Sequence, residues 1–288
     1  MKQILKSVAL MCIISLSVAC NNANKQQTEN TTAKAASSQN LELDGAVGKL
    51  KAVLQVPELK DGETCPLVIL MHGVFSNKDF PIISKLANEL QQKGIASIRF
   101  DFNGHGESDG AFKDMTVPLE VKDALAVYQY CKTLDFVSNI SLLGHSQGGV
   151  VTSLVGGELK DAIKSVVLLA PAAVMEDQTN AGMMMGVKFD PNNIPESISV
   201  FNHTVGREYL STCQTLNIYE NAANYEGPVC LIHGRADQVV PYSYSEKYDQ
   251  IYKNSTLHIM EGETHLFDQD MLTAAHTAVD FIVKQTAN

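Results

Sequence analysis

The sequence predicts an α/β fold with a mostly parallel central sheet, helices on both faces and one long insertion. From about residue 47, apolar runs of strand length alternate with segments of helical periodicity. Two of these runs, PLVILM (66–71) and SVVLLA (165–170), are continuous, which is typical of strands buried on both faces. Nearly sixty residues, 171–226, interrupt the alternation, and they predict an inserted segment.

Each element follows from its own pattern. VGKLKAVLQV (47–56) alternates polar and apolar residues and predicts an outer antiparallel strand. The other expected strands are the apolar runs at 66–71, 94–102, 139–144, 165–170, 228–233 and 255–260. The expected helices, which have apolar residues three and four apart, are 79–92, 117–134, 147–159 and about 271–285.

The insertion at 171–226 contains three prolines and a methionine triplet, Met183–Met185, without a clear buried strand. It is too long for a simple crossover between two strands of a sheet. We interpret it as a lid over the C-terminal edge of the sheet, where open α/β sheets bind ligands.

The N-terminal segment is not expected to belong to the fold. Residues 1–20 have a basic start, a short apolar stretch and Ala19-Cys20, which resembles a bacterial lipoprotein signal with Cys20 as the lipidated residue. A plain signal peptide that is cleaved nearby is the alternative. Residues 21–44 are predicted to be a flexible tether. The protein is therefore expected to be exported and held on the periplasmic or surface side of a membrane through its lipid alone.

Charge and composition narrow the partners. The formal net charge is −10, which argues against nucleic acid as a partner and suits a neutral small-molecule or oligosaccharide substrate. Cys65, Cys131, Cys213 and Cys230 show no disulfide or metal spacing, so we expect buried free thiols. No metal and no cofactor are expected. The oligomeric state is not predicted by any of these features.

A candidate nucleophile lies in LLGHSQGG (142–149), where a strand runs into Ser146 and a helix leaves it. The G-x-S-x-G pattern in that context is typical of a nucleophile elbow. Gly144 and Gly148 allow the tight turn, because a Cβ at either position would clash. The alternative is an ordinary serine in a glycine-rich turn.

A serine hydroxyl needs a base, and the base needs an acid. Among eight histidines, His265 follows the last strand in the loop EGETHLF, at the edge of the sheet where Ser146 is expected. Asp237 follows the preceding strand, and the order Ser, Asp, His is that of one large class of hydrolases. Asp268 and Asp270 are weaker alternatives for the acid, since an acid at the start of a helix is commonly a cap. His72, His145 and His233 are expected to be structural or to support the residues of the site from behind.

The oxyanion of an acyl-transfer intermediate needs backbone donors. We predict the N–H groups of Gln147 and Val74, with Phe75 as second choice for the latter. A different motif, NGHGESDG (103–110), suggests a dinucleotide loop, but Asp109 stands where its third glycine is required. The motif therefore does not predict a nucleotide cofactor.

With these residues in place, the chain resembles the α/β-hydrolase superfamily, and within it the bacterial feruloyl (cinnamoyl) esterases. The resemblance runs from about residue 45 to the end and rests on the motifs MHGVFSN, RFDFNGHGESDG, LLGHSQGG, LLAPAA, FDPNNIPES, LNIYE, PVCLIHGRADQVVP and STLHIMEGETHLF. It implies hydrolysis of hydroxycinnamate esters of plant cell-wall carbohydrate. It also implies that Ser146, Asp237 and His265 are catalytic and that Val74 and Gln147 stabilise the oxyanion.

The resemblance further implies that polar groups in the lid hold the phenolic end of the substrate. The matching positions are Gln178 and Met185, where an acid and an amide are expected, and Asp177 stands next to the first. Tyr209 is a further candidate. For Tyr209 and for the methionine triplet, packing within the lid is the alternative. The alternatives are a short-chain or acetyl carboxylesterase, a serine peptidase of the same fold, and a membrane-tethered binding protein without catalysis.

Overall fold

The computed structural model describes residues 33–286. The predicted signal peptide, Cys20 and residues 21–32 of the predicted tether lie outside the described residues. The strands are β1 (Ser37–Asp44), β2 (Lys49–Val56), β3 (Cys65–Met71), β4 (Ala96–Phe100), β5 (Val137–His145), β6 (Val166–Leu169), β7 (Met183–Met184), β8 (Val187–Lys188), β9 (Ser197–Val200), β10 (His203–Gly206), β11 (Val229–Gly234) and β12 (Ser255–Met260). The α-helices are α1 (Pro81–Gln92), α2 (Val117–Cys131), α3 (Gln147–Leu159), α4 (Val174–Asn180), α5 (Arg207–Cys213), α6 (Ile218–Ala222), α7 (Ser243–Ile251) and α8 (Met271–Thr286).

Eight strands form one sheet in the order β1-β2-β4-β3-β5-β6-β11-β12. The pairs from β4 to β12 are all parallel, and only β1 and β2 run antiparallel to their neighbours. The predicted α/β class with a mostly parallel sheet is therefore confirmed. Parallel strands end at the same edge, so the loops after β3, β5, β11 and β12 gather at one side of the sheet.

The edge strand β1 corrects one boundary of the sequence prediction. The sequence predicts that residues 37–44 belong to the flexible tether, but in the structure they pair with β2 over eight residues, from Ser37 opposite Val56 to Asp44 opposite Lys49. The strand carries only two half-buried apolar side chains, Leu41 and Leu43. An edge strand is held mainly by its ladder of backbone hydrogen bonds with one neighbour, and that ladder leaves little trace in composition.

Alternate residues of the buried strands face two separate layers of the core. On β3, Leu67 and Ile69 face the layer that also contains α2 and α3, whereas Val68 and Leu70 face the layer formed by α1 and α8. Because helices cover both faces, neither set of side chains can be polar, and the run PLVILM is continuous for that reason.

Residues 171–226, here named the lid segment, connect β6 to β11. They contain α4, α5, α6 and two short hairpins, β7–β8 and β9–β10. The chain is well packed here: Val205, Leu210, Ile218 and Ala222 are fully buried. The segment adds its own walls to the cleft described below.

Four cysteines lie in the part of the chain that the structure describes. Cys65, Cys131, Cys213 and Cys230 are buried and unpaired, as predicted. Burial raises the pKa of the Cys131 and Cys230 thiols to about 12 each.

Within residues 33–286, no helix is long and apolar enough to span a bilayer. In the same range, no cluster of three or more His, Cys, Asp or Glu side chains is arranged to hold a metal ion.

Candidate active site

Ser146 lies at the sharp turn between β5 and α3. Its backbone has φ 56° and ψ −123°, a region that costs a residue with a side chain of order 1–3 kcal/mol. Hydrogen bonds hold the turn in place: the Ser146 N–H donates to Leu169 O at 2.9 Å, and the Ser146 carbonyl accepts from the N–H groups of Gly149 and Ala172 at 2.9 and 3.0 Å. The turn therefore presents a single side chain, that of Ser146, above the end of β5.

Two glycines leave the space that this turn needs. A Cβ at Gly144 would lie 2.2 Å from the carbonyl oxygen of Gly148, and a Cβ at Gly148 would lie 2.3 Å from the carbonyl oxygen of His72. Both distances are far below a van der Waals contact. The predicted requirement for small residues at positions 144 and 148 is confirmed.

The structure brings the three residues of the predicted triad into one hydrogen-bonded chain. Ser146 Oγ lies 2.9 Å from His265 Nε2, and His265 Nδ1 lies 2.7 Å from Asp237 Oδ2. All three residues are buried. An imidazole held by a carboxylate on one side and hydrogen-bonded to a serine hydroxyl on the other can take the hydroxyl proton during attack.

Asp237 is fixed by more than His265. Its Oδ1 accepts from the N–H groups of Val239 and Val240, at 2.8 Å each, and its Oδ2 also lies 3.1 Å from His233 Nε2. Burial disfavours the ionised carboxyl, but the hydrogen bonds from His233 and His265 and the nearby imidazole outweigh it and hold the pKa of Asp237 well below its usual range. The acid is therefore ionised at neutral pH.

His233 supports the acid from behind, one of the two roles predicted for it. Its ring is fully buried, with Nδ1 2.7 Å from Ser245 Oγ and Nε2 2.9 Å from the carbonyl oxygen of Val240, in addition to the carboxylate contact. The sequence predicts a structural or supporting residue, since His233 lies at the end of a buried strand. The available signal was its position in HGRAD, where the loop after β11 folds Asp237 back onto the end of that strand.

The two alternative acids have other roles. Asp270 Oδ1 accepts from the N–H of Thr273 at 3.1 Å and caps the start of α8, and Asp268 Oδ1 accepts from Thr264 Oγ1 at 2.6 Å. Neither carboxylate contacts His265. Asp237 is the residue whose carboxylate meets the base.

His145, next to the serine, supports the base from the other side. Its Nε2 lies 2.8 Å from the carbonyl oxygen of His265, and its ring stacks on Phe80 with centroids 5.3 Å apart. Burial, together with the neighbouring His265, lowers the pKa of His145 to about 3, so the ring stays neutral. A neutral ring can donate from Nε2 and hold the loop that carries His265.

The loop after β3, in which the second oxyanion donor is predicted, lies against Ser146. His72 is buried, with Nδ1 2.8 Å from Gly73 O, and its Nε2 accepts from the N–H of Phe102 at 3.2 Å. These bonds tie the loop to the end of β4. Gly73 lies so close to the serine that a Cβ there would be 2.9 Å from Ser146 Cβ. The loop is thus held against the reacting hydroxyl.

Val74 and Gln147 both line a cavity that opens on Ser146. Gln147 is the first residue of α3, and the first N–H groups of a helix have no acceptor within it and favour negative charge. In the part of the chain that the structure describes, no hydrogen bond is found from either backbone N–H. Phe75, the second choice, also follows in this loop, and its ring stacks on Phe112 with centroids 5.3 Å apart.

The side chain of Gln147 lies in a buried polar network. Its Nε2 donates to both carboxyl oxygens of Glu120, at 2.8 and 2.9 Å, and its Oε1 accepts from the Tyr209 hydroxyl at 2.6 Å. Glu120 and Tyr209 are each 2% exposed. The network joins α2, the start of α3 and helix α5 of the lid segment. Tyr209 is thus part of the buried core of the lid segment, with its hydroxyl bonded to Gln147, and it also lines a cavity at Ser146.

The buried carboxyl of Glu120 is expected to make the stability of the fold depend on pH. Burial raises the pKa of its carboxyl well above the usual value, although the bond from Gln147 works in the opposite direction. The folded state therefore binds a proton that the unfolded state releases, and Glu120 weakens stability as the pH rises above about 4.5. We expect Glu120→Gln, which keeps one acceptor for Gln147, to have a higher melting temperature than wild type. The difference between the two melting temperatures should be larger at pH 8 than at pH 4.5. Thermal melts at both values check this, with the exposed Glu220→Gln as control; an equal offset at the two values would contradict it.

The predicted lid residues separate into two groups. Gln178 and Met185 both line the cleft over Ser146, and Gln178 Oε1 accepts from the Met185 N–H at 3.1 Å. Asp177 is exposed and accepts from the Tyr244 hydroxyl at 2.8 Å. Asp177 is not among the residues that line the cleft, so its prediction as a substrate ligand is wrong. Consecutive side chains of an α-helix point about 100° apart, and α4 directs Gln178 rather than Asp177 to the cleft.

Two cavities meet at Ser146. The larger, here named the outer cleft, has a volume of about 470 Å³ and reaches His265, Phe201, Val239 and Leu266. The smaller, here named the inner cavity, lies under the lid segment and is walled by Gln147, Tyr209 and four methionines, Met175 and Met183–Met185. The two share Val74, Ser146, Gln178, Met185 and Val239. A substrate whose reacting bond lies at Ser146 can thus extend in two directions.

An activated serine, its base and acid, and free amides beside the serine define a serine hydrolase on an α/β scaffold. The family model described as "Serine aminopeptidase, S33" matches residues 62–200, which include Ser146 and end before Asp237. Est1E from Butyrivibrio proteoclasticus, in a structure with ferulic acid bound, is 34% identical with a TM-score of 0.83, and the match covers 86% of this chain and 100% of that one.

Two curated relatives extend the comparison. Human Protein ABHD12B is 24% identical over 200 residues, 68% of this chain and 52% of that protein, so this chain spans about half of its length. Putative esterase/lipase 2 of Mycoplasma genitalium is 24% identical over 221 residues, 76% of each chain. The chain belongs to the α/β-hydrolase superfamily, as a serine hydrolase with esterases among its relatives.

Proposed function

We propose that this protein is a serine esterase that hydrolyses hydroxycinnamate (feruloyl-type) esters of plant cell-wall carbohydrate through an acyl-enzyme. The proposal rests on the hydrogen-bonded chain Ser146–His265–Asp237, which lies beneath an uncharged and largely apolar cleft. It is supported by the 34% identity to Est1E, whose structure has ferulic acid bound. A flat aromatic acid suits such walls, because apolar surface and aromatic rings favour each other over water.

The proposed reaction has two halves. Ser146 Oγ attacks the ester carbonyl while its proton passes to His265 Nε2, and Asp237 stabilises the resulting imidazolium. The N–H groups of Val74 and Gln147 bind the developing oxyanion. The intermediate collapses as His265 returns the proton to the departing alcohol. Water then attacks the acyl-serine with His265 again as base, and the free acid leaves.

The inner cavity is the proposed place of the acyl group. As it stands its volume is about 30 Å³, too little for a phenyl ring, so ring entry requires its methionine side chains to change rotamer. Methionine has three rotatable bonds and makes favourable contacts with aromatic rings, which fits that task. Gln178 Nε2 donates to no other group in the described chain, and it is the proposed donor to a ring oxygen.

The test compares methyl esters, so that the leaving group is the same throughout. We expect kcat/KM for methyl ferulate to exceed that for methyl acetate and methyl butyrate by at least about tenfold, since a filled apolar pocket gains about 1–3 kcal/mol. Initial rates on the three esters measure it. A preference for methyl acetate would contradict the proposal and favour the alternative, a short-chain carboxylesterase.

A peptidase is the second candidate, because the matching family model is described as a serine aminopeptidase. An aminopeptidase must bind the ammonium group of its substrate, and that needs an acidic partner. None of the residues that line the outer cleft or the inner cavity is Asp or Glu. We therefore expect alanine p-nitroanilide to be hydrolysed far more slowly than methyl ferulate in the same assay.

A further inference from the structure

The loop that carries the proposed oxyanion donor Val74 is fastened at both of its ends to the chain directly after β4. At the first end, His72 Nε2 accepts from the N–H of Phe102 at 3.2 Å. At the other end, the N–H of Lys78 donates to Asp101 Oδ1 at 2.6 Å. Since Asp101 and Phe102 are consecutive, the chain from His72 to Lys78, here named the oxyanion arch, has both feet on one point of the sheet.

Asp101 is the stronger of the two attachments. Its side chain is fully buried, and its Oδ2 accepts from the Lys78 ammonium and from the N–H of Glu107, at 2.9 Å each. Lys78 is itself 6% exposed, so water reaches little of this ion pair. Hydrogen bonds between charged groups are short and strong, and here they meet a carboxylate that also binds two backbone N–H groups. Asp101 therefore fixes both the position and the direction of the foot of the arch.

The loop NGHGESDG (103–110) is built around this carboxylate. A Cβ at Gly106 would lie 2.3 Å from Asp101 Cγ, so the loop can pass this close only with glycine. The Ser108 hydroxyl donates to the carbonyl oxygen of Asp101 at 2.7 Å. The loop lines neither the outer cleft nor the inner cavity, and it contributes no group to the proposed reaction. Its contacts indicate that it encloses the pair of Asp101 and Lys78.

The backbone of the arch does not hold its own shape. Phe75, directly after Val74, has φ 58°, a region that is unfavourable for a residue with a side chain. In the part of the chain that the structure describes, no backbone–backbone hydrogen bond joins two residues of the arch. A strained segment of this kind keeps its conformation only where its surroundings impose it. The attachments at its feet are therefore needed to aim the Val74 N–H.

We propose that Asp101 and Lys78 are positioning residues: their ion pair holds the oxyanion arch so that the Val74 N–H meets the oxyanion. Neither residue lines the outer cleft or the inner cavity, so their loss leaves ground-state binding of the substrate intact. Both halves of the reaction form an oxyanion, and both therefore slow together when the arch shifts. This inference rests on the proposed function and adds the residues that position one of its oxyanion donors.

Asp101→Asn is the first test, because an amide has one acceptor oxygen where the carboxylate has two. Whichever way it turns, its NH2 group faces donors that Asp101 now satisfies. We expect kcat for methyl ferulate to fall at least about tenfold with KM within about twofold of wild type, since a displacement of about 1 Å in a catalytic group can cost about 10²-fold.

Two inhibitors separate the oxyanion from the rest of the site in the same variant. Phenethyl trifluoromethyl ketone forms an adduct with Ser146 that carries the oxyanion, so its affinity should fall by about the same factor as kcat. Free ferulate binds without an oxyanion at Ser146, and its inhibition constant should not change. An unchanged kcat, or a rise in KM alone, would overturn the inference.

Asp123→Asn is the matched control. Asp123 is also fully buried and accepts from two backbone N–H groups, those of Ala46 and Asn103, at 2.7 and 2.9 Å. Neither bond reaches the oxyanion arch. The control should lower the melting temperature with little change in kcat. An equal fall in kcat in both variants would show general loosening of the fold and would overturn the inference.

Lys78→Met decides the question if Asp101→Asn does not fold. It removes the ammonium but keeps the backbone N–H that donates to Asp101, so a fall in kcat of at least about threefold is expected with KM unchanged. Lys85→Met, which removes an ion pair with Glu89 on α1, is its control and should keep full kcat. In that case an unchanged kcat in Lys78→Met would overturn the inference. A wild type that hydrolyses neither methyl ferulate nor methyl acetate would instead contradict the proposed function.

Discussion

Ser146→Ala is expected to lower kcat for methyl ferulate by about 10⁵- to 10⁶-fold, as is typical when the nucleophile of a serine hydrolase is removed. Residual turnover would come from the oxyanion donors and substrate binding alone. The Cβ and the turn remain, so circular dichroism and the melting temperature should stay near those of wild type. Rate assays with high enzyme concentration measure the loss.

Ser153→Ala is the matched control for this substitution. Ser153 is another buried serine on α3, and its hydroxyl lies 3.0 Å from that of Tyr248, away from the cleft. It should cost stability but not activity. A fluorophosphonate probe should label wild type and the Ser153 variant but not the Ser146 variant. Retained activity in Ser146→Ala would exclude the mechanism, and an unlabelled wild type would favour a binding protein without catalysis.

Asp237→Asn is expected to lower kcat by about 10⁴-fold. An amide in this position can turn its NH2 group toward the imidazole, which then carries its proton on Nε2 and cannot accept the proton of Ser146. The substitution also changes the contact with His233 Nε2, although that nitrogen keeps the carbonyl oxygen of Val240 at 2.9 Å. Activity against the buffer pH and the melting temperature of both proteins measure the two consequences.

The stability effect of this substitution has a defined sign. The folded pKa of Asp237 lies below its unfolded value of about 3.9, so the carboxylate stabilises the fold above that pH and its contribution is lost as the pH falls further. The stability gap between wild type and Asp237→Asn should therefore shrink from pH 6 to pH 3. Asp268→Asn changes an exposed acid in the loop that carries His265 and should retain full activity; a large loss there would reassign the acid.

The sequence predicts those parts of the fold that burial on two faces imposes. The core strands and the helices that pack on them show their periods because water is excluded from defined sides of each element. The nine-residue helix α7, SYSEKYDQI, lacks that signal: only Ser245 and Tyr248 are buried in it. Its place is set by the return of the chain from β11 to β12, a tertiary constraint that no local window contains.

The sequence predicts some residues of the site and not others, for the same physical reason. Ser146, Asp237 and His265 could be predicted because each follows a strand, and parallel strands bring their ends to one edge. The Glu120–Gln147–Tyr209 network could not, since it joins three helices that are far apart in sequence. The orientation of α4 was likewise hidden, so Asp177 and Gln178 could not be separated before the structure placed Tyr244 beside the former.

The four cysteines have a consequence for how the folded chain behaves toward oxidants and alkylating reagents. Disulfide exchange and alkylation proceed through the thiolate, and burial both shields these sulfurs and raises the pKa of the Cys65, Cys131, Cys213 and Cys230 thiols. Each sulfur becomes reactive only when the packing around it opens. The native domain is therefore expected to be unreactive toward thiol reagents. The rate at which its cysteines react then measures the rate at which the domain unfolds.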